Sequence, residues 1–168
     1  TTSLYPASTT QKGDVISARC TPIDPTSSGL AVDSTSATVV NSAPTISTCD
    51  IGTTSGNLQT LDDLNASISG WNDPDGDTDA TTFAWYKNGG QVSTNETLDH
   101  NEFAKGDTVY VICTADDGES TGTVIQSSTI TIQNSAPAIT DCTLTPLSPA
   151  TTDDLVVATG GWTDPDGD

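Results

Sequence analysis

Apolar and polar residues alternate along many short segments of the chain. Between residues 107 and 115, Val109, Val111 and Cys113 occupy every second position. A period of two is typical of a β-strand with one buried face. We therefore predict a half-buried strand here, with these three side chains in the core.

Five further segments are also predicted to be short strands, because they are separated by Gly, Pro, Asn, Asp and Ser, which favour turns. The six predicted strands lie near residues 45–51, 63–70, 81–87, 90–98, 107–115 and 122–133. Phe83 and Trp85 alternate on the third segment and are expected to anchor the core. Asn88-Gly89 predicts a hairpin after it, because both residues tolerate positive φ. We expect an all-β fold, with the fourth segment forming two short strands.

Several motifs recur 93 positions further along the chain. Asn-Ser-Ala-Pro at 41–44 returns at 134–137, and Lys-Gly-Asp at 12–14 returns at 105–107. The run from Trp71 to Asp77 returns 91 positions later at 162–168, which implies a two-residue deletion. Self-similarity at such a spacing indicates tandem structural units.

The repeat predicts one complete unit and two partial ones. Residues 1–44 match the C-terminal part of a repeat, 45–137 form a complete repeat, and 138–168 match the N-terminal part of the next. We expect the chain to be a window of a longer array, with linkers that end at Pro44 and Pro137.

The repeat also assigns the second face of the strand at 107–115. Tyr110 and Ile112 align with Ser17 and Arg19 of the preceding repeat. Because the aligned residues are polar, we expect this face to contact water.

Taken in order, the motifs resemble the Ig-like, cadherin-like or PKD-like repeats of large bacterial and archaeal surface proteins. The resemblance covers the whole chain and includes Asn-Ser-Ala-Pro, Asp-Asp-Leu, Asp-Pro-Asp-Gly-Asp, Trp-Tyr-Lys-Asn-Gly, Lys-Gly-Asp-Thr-Val-Tyr-Val and Asp-Asp-Gly. It implies tandem immunoglobulin-like β-sandwich domains joined by short linkers, and a place in an adhesin, stalk or filament outside the cell.

The chain is strongly acidic, with 4 Lys and Arg against 23 Asp and Glu and a formal net charge of −19. This charge repels nucleic acids and anionic membrane surfaces and favours cations as partners. No segment has the ~18 consecutive apolar residues of a membrane-spanning helix, so we expect no membrane insertion. Adaptation to high salt is an alternative reason for the acidity and is compatible with any of the functions named here.

An acidic turn suggests a calcium site. Asp73, Asp75 and Asp77 lie within five residues of one another, and a glycine among them permits a tight turn. Ca²⁺ takes about six to eight oxygen ligands, and alternating Asp residues in a turn converge on such a point. The recurring motif supplies Asp164, Asp166 and Asp168. This recurrence weakens the alternative of a merely solvated acidic turn.

The strand order expected for a sandwich brings further acids to the same end, facing the preceding repeat. The additional candidate ligands there are Asp14, Asn41, Asp116 and Asp117. Asp62 and Asp63 lie at the other end, where they are either ligands of a second site or part of a turn or strand start.

The four cysteines fit an oxidising, extracellular or cell-surface location, provided that they pair. Typical members of the resembling families carry cysteines on the second and sixth strands, whereas Cys49 here lies on the first. Cys49 and Cys113 can bridge opposite sheets, which would stabilise the unit by about 4 kcal/mol. The alternative joins Cys20 to Cys49 and Cys113 to Cys142, which staples neighbouring units together.

Other candidate sites are less specific. Asn65 and Asn95 begin Asn-x-Ser/Thr glycosylation triplets, which arise often in a chain rich in Ser and Thr. The one histidine, His100, lies in a polar loop and is expected at the surface. The sequence has no nucleophile elbow or phosphate-binding loop, so we expect that it is not an enzyme.

The favoured function is a structural one, in which calcium rigidifies a rod, surface stalk or filament through contacts between neighbouring copies of the repeat. One alternative is an adhesin-type module that recognises a glycan or protein. Another is an accessory domain of a secreted enzyme.

Overall fold

The computed structural model describes residues 4–167, and this part of the chain is all-β. Two short 3₁₀ turns, at Ala7–Thr9 and His100–Glu102, are the helical elements within that range, and neither could cross a membrane. The strands are β1 Val15–Ile16, β2 Arg19–Cys20, β3 Val32–Asp33, β4 Ala37–Thr38, β5 Thr48–Thr53, β6 Leu64–Ser69, β7 Thr82–Lys87, β8 Gly90–Ser93, β9 Thr97–Leu98, β10 Thr108–Asp116, β11 Thr121–Gln126, β12 Ile130–Thr131, β13 Asp141–Thr145 and β14 Val156–Gly160.

Two antiparallel sheets between residues 48 and 131 enclose the main core. One sheet has the order β11-β10-β7-β8, and β12 also pairs with β10; the other has the order β5-β6-β9. Their inner faces share one hydrophobic cluster, so the pair has the form of a β-sandwich. The hairpin predicted between β7 and β8 is confirmed, because Asn88 and Gly89 have φ values of 50° and 85°.

Strand β10 carries the alternation that the sequence predicted. Val109, Val111 and Cys113 are fully buried, and the residues between them are only partly buried. Trp85 of β7 is also fully buried, and its indole nitrogen donates to the Asn95 carbonyl at 2.9 Å. Burying a large apolar side chain stabilises the fold by about 1.5–3 kcal/mol, and the hydrogen bond removes the cost of the indole N–H.

A disulfide joins the two sheets. Cys49 of β5 and Cys113 of β10 are bonded, with their Cα atoms 5.9 Å apart. This confirms the inter-sheet pairing and excludes the stapling alternative. Cys20 and Cys142 are exposed, free thiols in the described chain. An intramolecular disulfide is typical of proteins in a non-reducing environment.

The last predicted strand, 122–133, is two strands in the structure, β11 and β12. Ser127 interrupts it: its hydroxyl accepts from the Val111 amide at 3.0 Å, and its own amide donates to the Val111 carbonyl at 2.9 Å. The preceding repeat has the same arrangement, in which the Ser34 hydroxyl accepts from the Ala18 amide at 2.9 Å. A side-chain acceptor therefore replaces a backbone partner and lets the chain bend.

Three two-stranded sheets, β1–β4, β2–β3 and β13–β14, lie before and after this core. Their apolar side chains are largely uncovered, and Val15, Val32, Val156 and Val157 are each more than half exposed. These strands occupy the two parts of the chain that the sequence assigns to partial repeats. The boundaries of the three predicted repeats stay predictions.

The linker before β5 lies tightly on the central sheets. Pro44 is fully buried, and its carbonyl accepts from the Thr123 amide at 3.2 Å. A Cβ atom added to Gly122 of β11 would lie 1.7 Å from that carbonyl oxygen. Glycine at position 122 therefore allows the close approach that holds the linker.

Candidate metal centre

The acidic loop after β6 folds around Asp73. The Oδ1 atom of Asp73 accepts hydrogen bonds from the backbone amides of Asp75 at 2.8 Å and Asp77 at 3.1 Å. Gly76 has a φ of 80°, in the left-handed region that glycine tolerates best. The Oδ2 atom of Asp73 is buried and accepts no hydrogen bond from the described residues. The loop thus holds one carboxylate oxygen out of contact with water and without a donor.

Three carboxylates converge at this end of the central sheets. Oxygen atoms of Asp73, Asp77 and Asp117 all lie within 4.8 Å of one another. Asp117 is only 8% exposed. Ligand oxygens about 2.3–2.6 Å from one calcium ion lie at most ~5 Å apart, so this spacing fits a shared ion.

The ammonium group of Lys12 lies beside the cluster. Its Nζ atom is 2.5 Å from Asp77 Oδ2, 2.8 Å from Glu119 Oε1 and 3.2 Å from Asn41 Oδ1. The Asp77 contact, and after it Glu119, raises the pKa of Lys12 well above its usual value. The lysine is therefore fully charged at neutral pH.

Asn41 connects the linker to the buried acid. Its Nδ2 donates to Asp117 Oδ2 at 2.7 Å and to the Ser120 hydroxyl at 2.9 Å. The amides of Glu119 and Ser120 donate to the other oxygen of Asp117, at 2.7 and 2.6 Å. The bond from Asn41, together with those from Ser120 and Glu119, lowers the pKa of Asp117 far below its usual value despite its burial. Asp117 is therefore ionised throughout the neutral range.

Backbone contacts complete what we call the first seam, the contacts between residues 12–45 and the loops 72–77 and 117–123. The Ser42 amide donates to Asp75 Oδ2 at 2.6 Å. Thr45 and Asn72 exchange two backbone hydrogen bonds, each of 2.9 Å. The seam thus consists of a charged cluster together with a separate set of hydrogen bonds donated by backbone amides.

An equivalent second seam joins residues 105–138 to the loop at 163–167. Here the Ser135 amide donates to Asp166 Oδ2 at 2.6 Å, and the Asp166 amide donates to Asp164 Oδ1 at 2.8 Å. Lys105 Nζ donates to Asn134 Oδ1 at 2.9 Å. Each contact repeats one in the first seam, so the sequence repeat is also a repeat of contacts.

The other candidate ligands of the first seam lie outside the three-carboxylate cluster. Asp14 Oδ2 accepts from the Gln11 amide at 2.9 Å and closes the Lys-Gly-Asp turn. Asp116 Oδ1 accepts from the Gly118 amide at 2.7 Å. Asp168 lies outside the described residues. Asp14 and Asp116 thus shape their own turns, and Asp73, Asp77 and Asp117 are the carboxylates brought together.

At the opposite end, Asp62 and Asp63 differ from each other. Asp62 is buried and accepts from the Gln59 amide at 3.3 Å within a turn. Asp63 Oδ1 lies 2.8 Å from Nδ1 of His100, which lowers the pKa of Asp63 and raises that of His100. His100 lies near the surface as expected, although the sequence did not indicate this acidic partner. Asp63, Asp99 and His100 form a second group whose ligand atoms lie within 4.8 Å.

The two glycosylation candidates have different surroundings. Asn95 is exposed in the turn between β8 and β9. Asn65 lies within β6, and its Oδ1 accepts from the Thr97 hydroxyl at 2.8 Å. Asn95 is thus the more accessible of the two side chains.

Sequence reasoning missed Lys12, Glu119 and Ser120 as members of the first seam. A signal for Lys12 was present, because Lys12 and Lys105 are two of only four basic residues and occupy the same repeat position. Glu119 and Ser120 have no comparable signal, since only the folded loop brings them to the linker.

The oxygen atoms available as metal ligands fit a hard cation. The cluster offers carboxylate oxygens, which Ca²⁺ prefers, and Asp73 Oδ2 is a buried oxygen with no other partner among the described residues. The adjacent Lys12 ammonium shows that the same position already attracts positive charge.

Comparison with known proteins finds no matching family model, no matching curated protein and no matching solved structure.

Proposed function

We propose that the chain is a structural segment of an extracellular rod, stalk or filament of tandem Ig-like units, in which Ca²⁺ at the seams fixes the angle between units. The observation that carries this proposal is the repetition of the seam contacts. Ser42 to Asp75 in the first seam corresponds to Ser135 to Asp166 in the second, both at 2.6 Å. A contact reproduced with the repeat gives each junction the same geometry, as an extended array requires.

Calcium would act through charge. The Asp73, Asp77 and Asp117 carboxylates lie within 4.8 Å of one another and repel when they are shielded from water. A divalent ion makes the net interaction attractive. If it binds only the ordered seam, a concentration 100 times its Kd stabilises that seam by about 2.7 kcal/mol.

The test is to follow the melting temperature and the maximum particle dimension by small-angle scattering, with Ca²⁺ and with a chelator. We expect the chelator to lower the melting temperature and broaden the distribution of dimensions. Mg²⁺ should restore the Ca²⁺ state poorly, because it requires octahedral geometry and retains its waters.

The double variant Asp73→Asn with Asp75→Asn should reproduce the effect of the chelator at the first seam. Asparagine keeps the carbonyl acceptors that shape the loop but removes two charges. The matched control is Asp50→Asn, an exposed carboxylate on β5. If neither chelation nor the double variant changes stability or shape, the acids are a solvated surface and the calcium proposal is wrong.

A stacked tyrosine pair favours a second candidate, an adhesive module. The rings of Tyr86 and Tyr110 lie 4.9 Å apart and 5° from parallel, on the sheet face opposite the core. The preceding repeat has Ser17 at the position of Tyr110, so the fold does not require an aromatic residue there. Glycan-array binding that is lost in Tyr110→Ser, with unchanged melting temperature, would support this function. Absence of binding by the unmodified chain would count against it.

A further inference from the structure

The basic residues of this chain are few, and their positions follow the repeat. Lys12 and Lys105 are two of four basic residues among 168, and both belong to the Lys-Gly-Asp motif. Both donate to the asparagine of the Asn-Ser-Ala-Pro linker, Asn41 and Asn134. A lysine recurs with the same asparagine partner although basic residues are rare in this chain. This recurrence indicates that the contact is a regular part of the seam.

In the first seam, Lys12 uses all three of its N–H donors on oxygen atoms of three different segments. They belong to Asn41 of the linker, Asp77 of the acidic loop and Glu119 of the β10–β11 loop. An ammonium group has three donors and no acceptor, so this set satisfies it completely. The lysine side chain is 27% exposed, which leaves it a route to solvent.

We propose that Lys12 is a tethered cation that competes with a divalent ion for Asp77, so that the first seam is held by lysine when divalent ions are scarce and by metal when they are abundant. This rests on the proposed function, and it adds the regulation of the same site. Asp77 belongs both to the lysine contact and to the three-carboxylate cluster.

The two cations exclude each other on electrostatic grounds. An ion among Asp73, Asp77 and Asp117 would lie within a few Å of the ammonium group, because Asp77 is common to both sites. At that distance and partly shielded from water, a monovalent and a divalent cation repel strongly. Metal binding therefore drives Lys12 out toward solvent, and the lysine weakens the metal affinity in return.

The seam does not open when the lysine leaves. The Ser42–Asp75 contact, the paired bonds between Thr45 and Asn72, and the Thr123–Pro44 contact do not involve Lys12. The exchange thus changes the charge and stiffness of the seam while these bonds, all donated by backbone amides, keep its register.

The experiment titrates Ca²⁺ by calorimetry into the full chain and three variants: Lys12→Gln, Glu119→Gln and Lys87→Gln. We expect Lys12→Gln to bind Ca²⁺ at least tenfold more tightly than the unmodified chain. Lys87→Gln makes the same change in net charge elsewhere, since Lys87 Nζ donates to the Glu102 carbonyl, and it should change the Kd less than twofold.

Glu119→Gln separates competition from general electrostatics. Removing an acid should weaken cation binding, whereas competition predicts tighter binding, because the substitution replaces a charged partner of Lys12 with a neutral amide. Equal affinities for Lys12→Gln and the unmodified chain, or weaker binding by Lys12→Gln, would overturn the competition and leave the calcium proposal standing. If none of the four proteins binds Ca²⁺, the proposed calcium function fails, and the competition fails with it.

The lysine-held state is tested separately in chelator. There, Lys12→Gln should melt lower and scatter as a more variable shape than Lys87→Gln. Identical melting and scattering of these two variants would show that Lys12 does not hold the seam.

Discussion

At the scale of single residues, the first seam depends on a buried carboxylate that has hydrogen-bond donors at both of its oxygen atoms. Asp117 accepts at both oxygens, Oδ1 from the Glu119 and Ser120 amides and Oδ2 from Asn41 and the Ser120 hydroxyl. An ionised carboxylate suits this role because it accepts only and offers no donor. The linker and the loop are thus joined through one buried charge.

Asp117→Asn should lower the melting temperature by several degrees at pH 7. Whichever way the new amide turns, its N–H₂ faces donors, either Asn41 or the amides of Glu119 and Ser120. Asp50→Asn, at an exposed position, should have no comparable effect.

The stabilisation that Asp117 provides should decrease at low pH. The folded pKa of Asp117 lies below the unfolded value of about 3.9. Its stabilisation is therefore present above about pH 4 and is lost as the pH falls through the lower folded pKa. The melting difference between the unmodified chain and Asp117→Asn should stay constant from pH 5 to 7 and shrink toward pH 2. A difference that is constant down to pH 2 would contradict the assigned ionisation.

At the scale of the elements, close backbone approach decides how the linker meets the sheet. Pro44 is fully buried, and its carbonyl contacts the Thr123 amide at the point where β11 passes. The close approach of the linker to β11 therefore depends on Gly122, a strand residue that has no side chain.

Gly122→Ala should lower the free energy of unfolding by about 1–3 kcal/mol, because the new Cβ overlaps the Pro44 carbonyl and forces the backbone to move. Urea denaturation measures this change. The matched control is Gly52→Ala in β5, where a Cβ would meet only the Asn65 carbonyl at 3.9 Å. Equal effects of the two substitutions would mean that the linker does not press on β11.

At the scale of the whole molecule, the disulfide limits expansion of the chain, whereas the negative net charge favours it. The formal net charge of −19 favours expansion through self-repulsion. The Cys49–Cys113 disulfide ties the two central sheets across a sequence separation of 64 residues.

Replacing Cys49 and Cys113 together by Ala should lower the free energy of unfolding by about 4 kcal/mol, because the unfolded chain loses its cross-link. Urea denaturation measures the loss, and a reducing agent should reproduce it in the unmodified chain. The control is the joint replacement of Cys20 and Cys142, whose thiols are exposed. A loss of equal size in both double variants would argue against the central disulfide as the source.

The sequence by itself determined the local features of this protein. Alternation identified β10 and its buried face, and Asn88-Gly89 identified the hairpin, because each of these depends on neighbours in the chain. The recurring motifs located the Asn-Ser-Ala-Pro linkers and the acidic loops that take part in both seams. It also located the acidic loop around Asp73, since the turn is built from its own carboxylates and amides.

Only the tertiary structure decided what depends on distance through space. It selected Cys113 as the partner of Cys49, because two pairings satisfy the spacing and only the facing sheets distinguish them. It interrupted the last strand at Ser127, whose hydroxyl accepts a hydrogen bond from the Val111 amide, 16 residues away in sequence. It also brought Lys12 to Asp77 across 65 residues. A long flexible side chain is positioned by the charged groups that surround it in the folded protein and not by its neighbours in sequence.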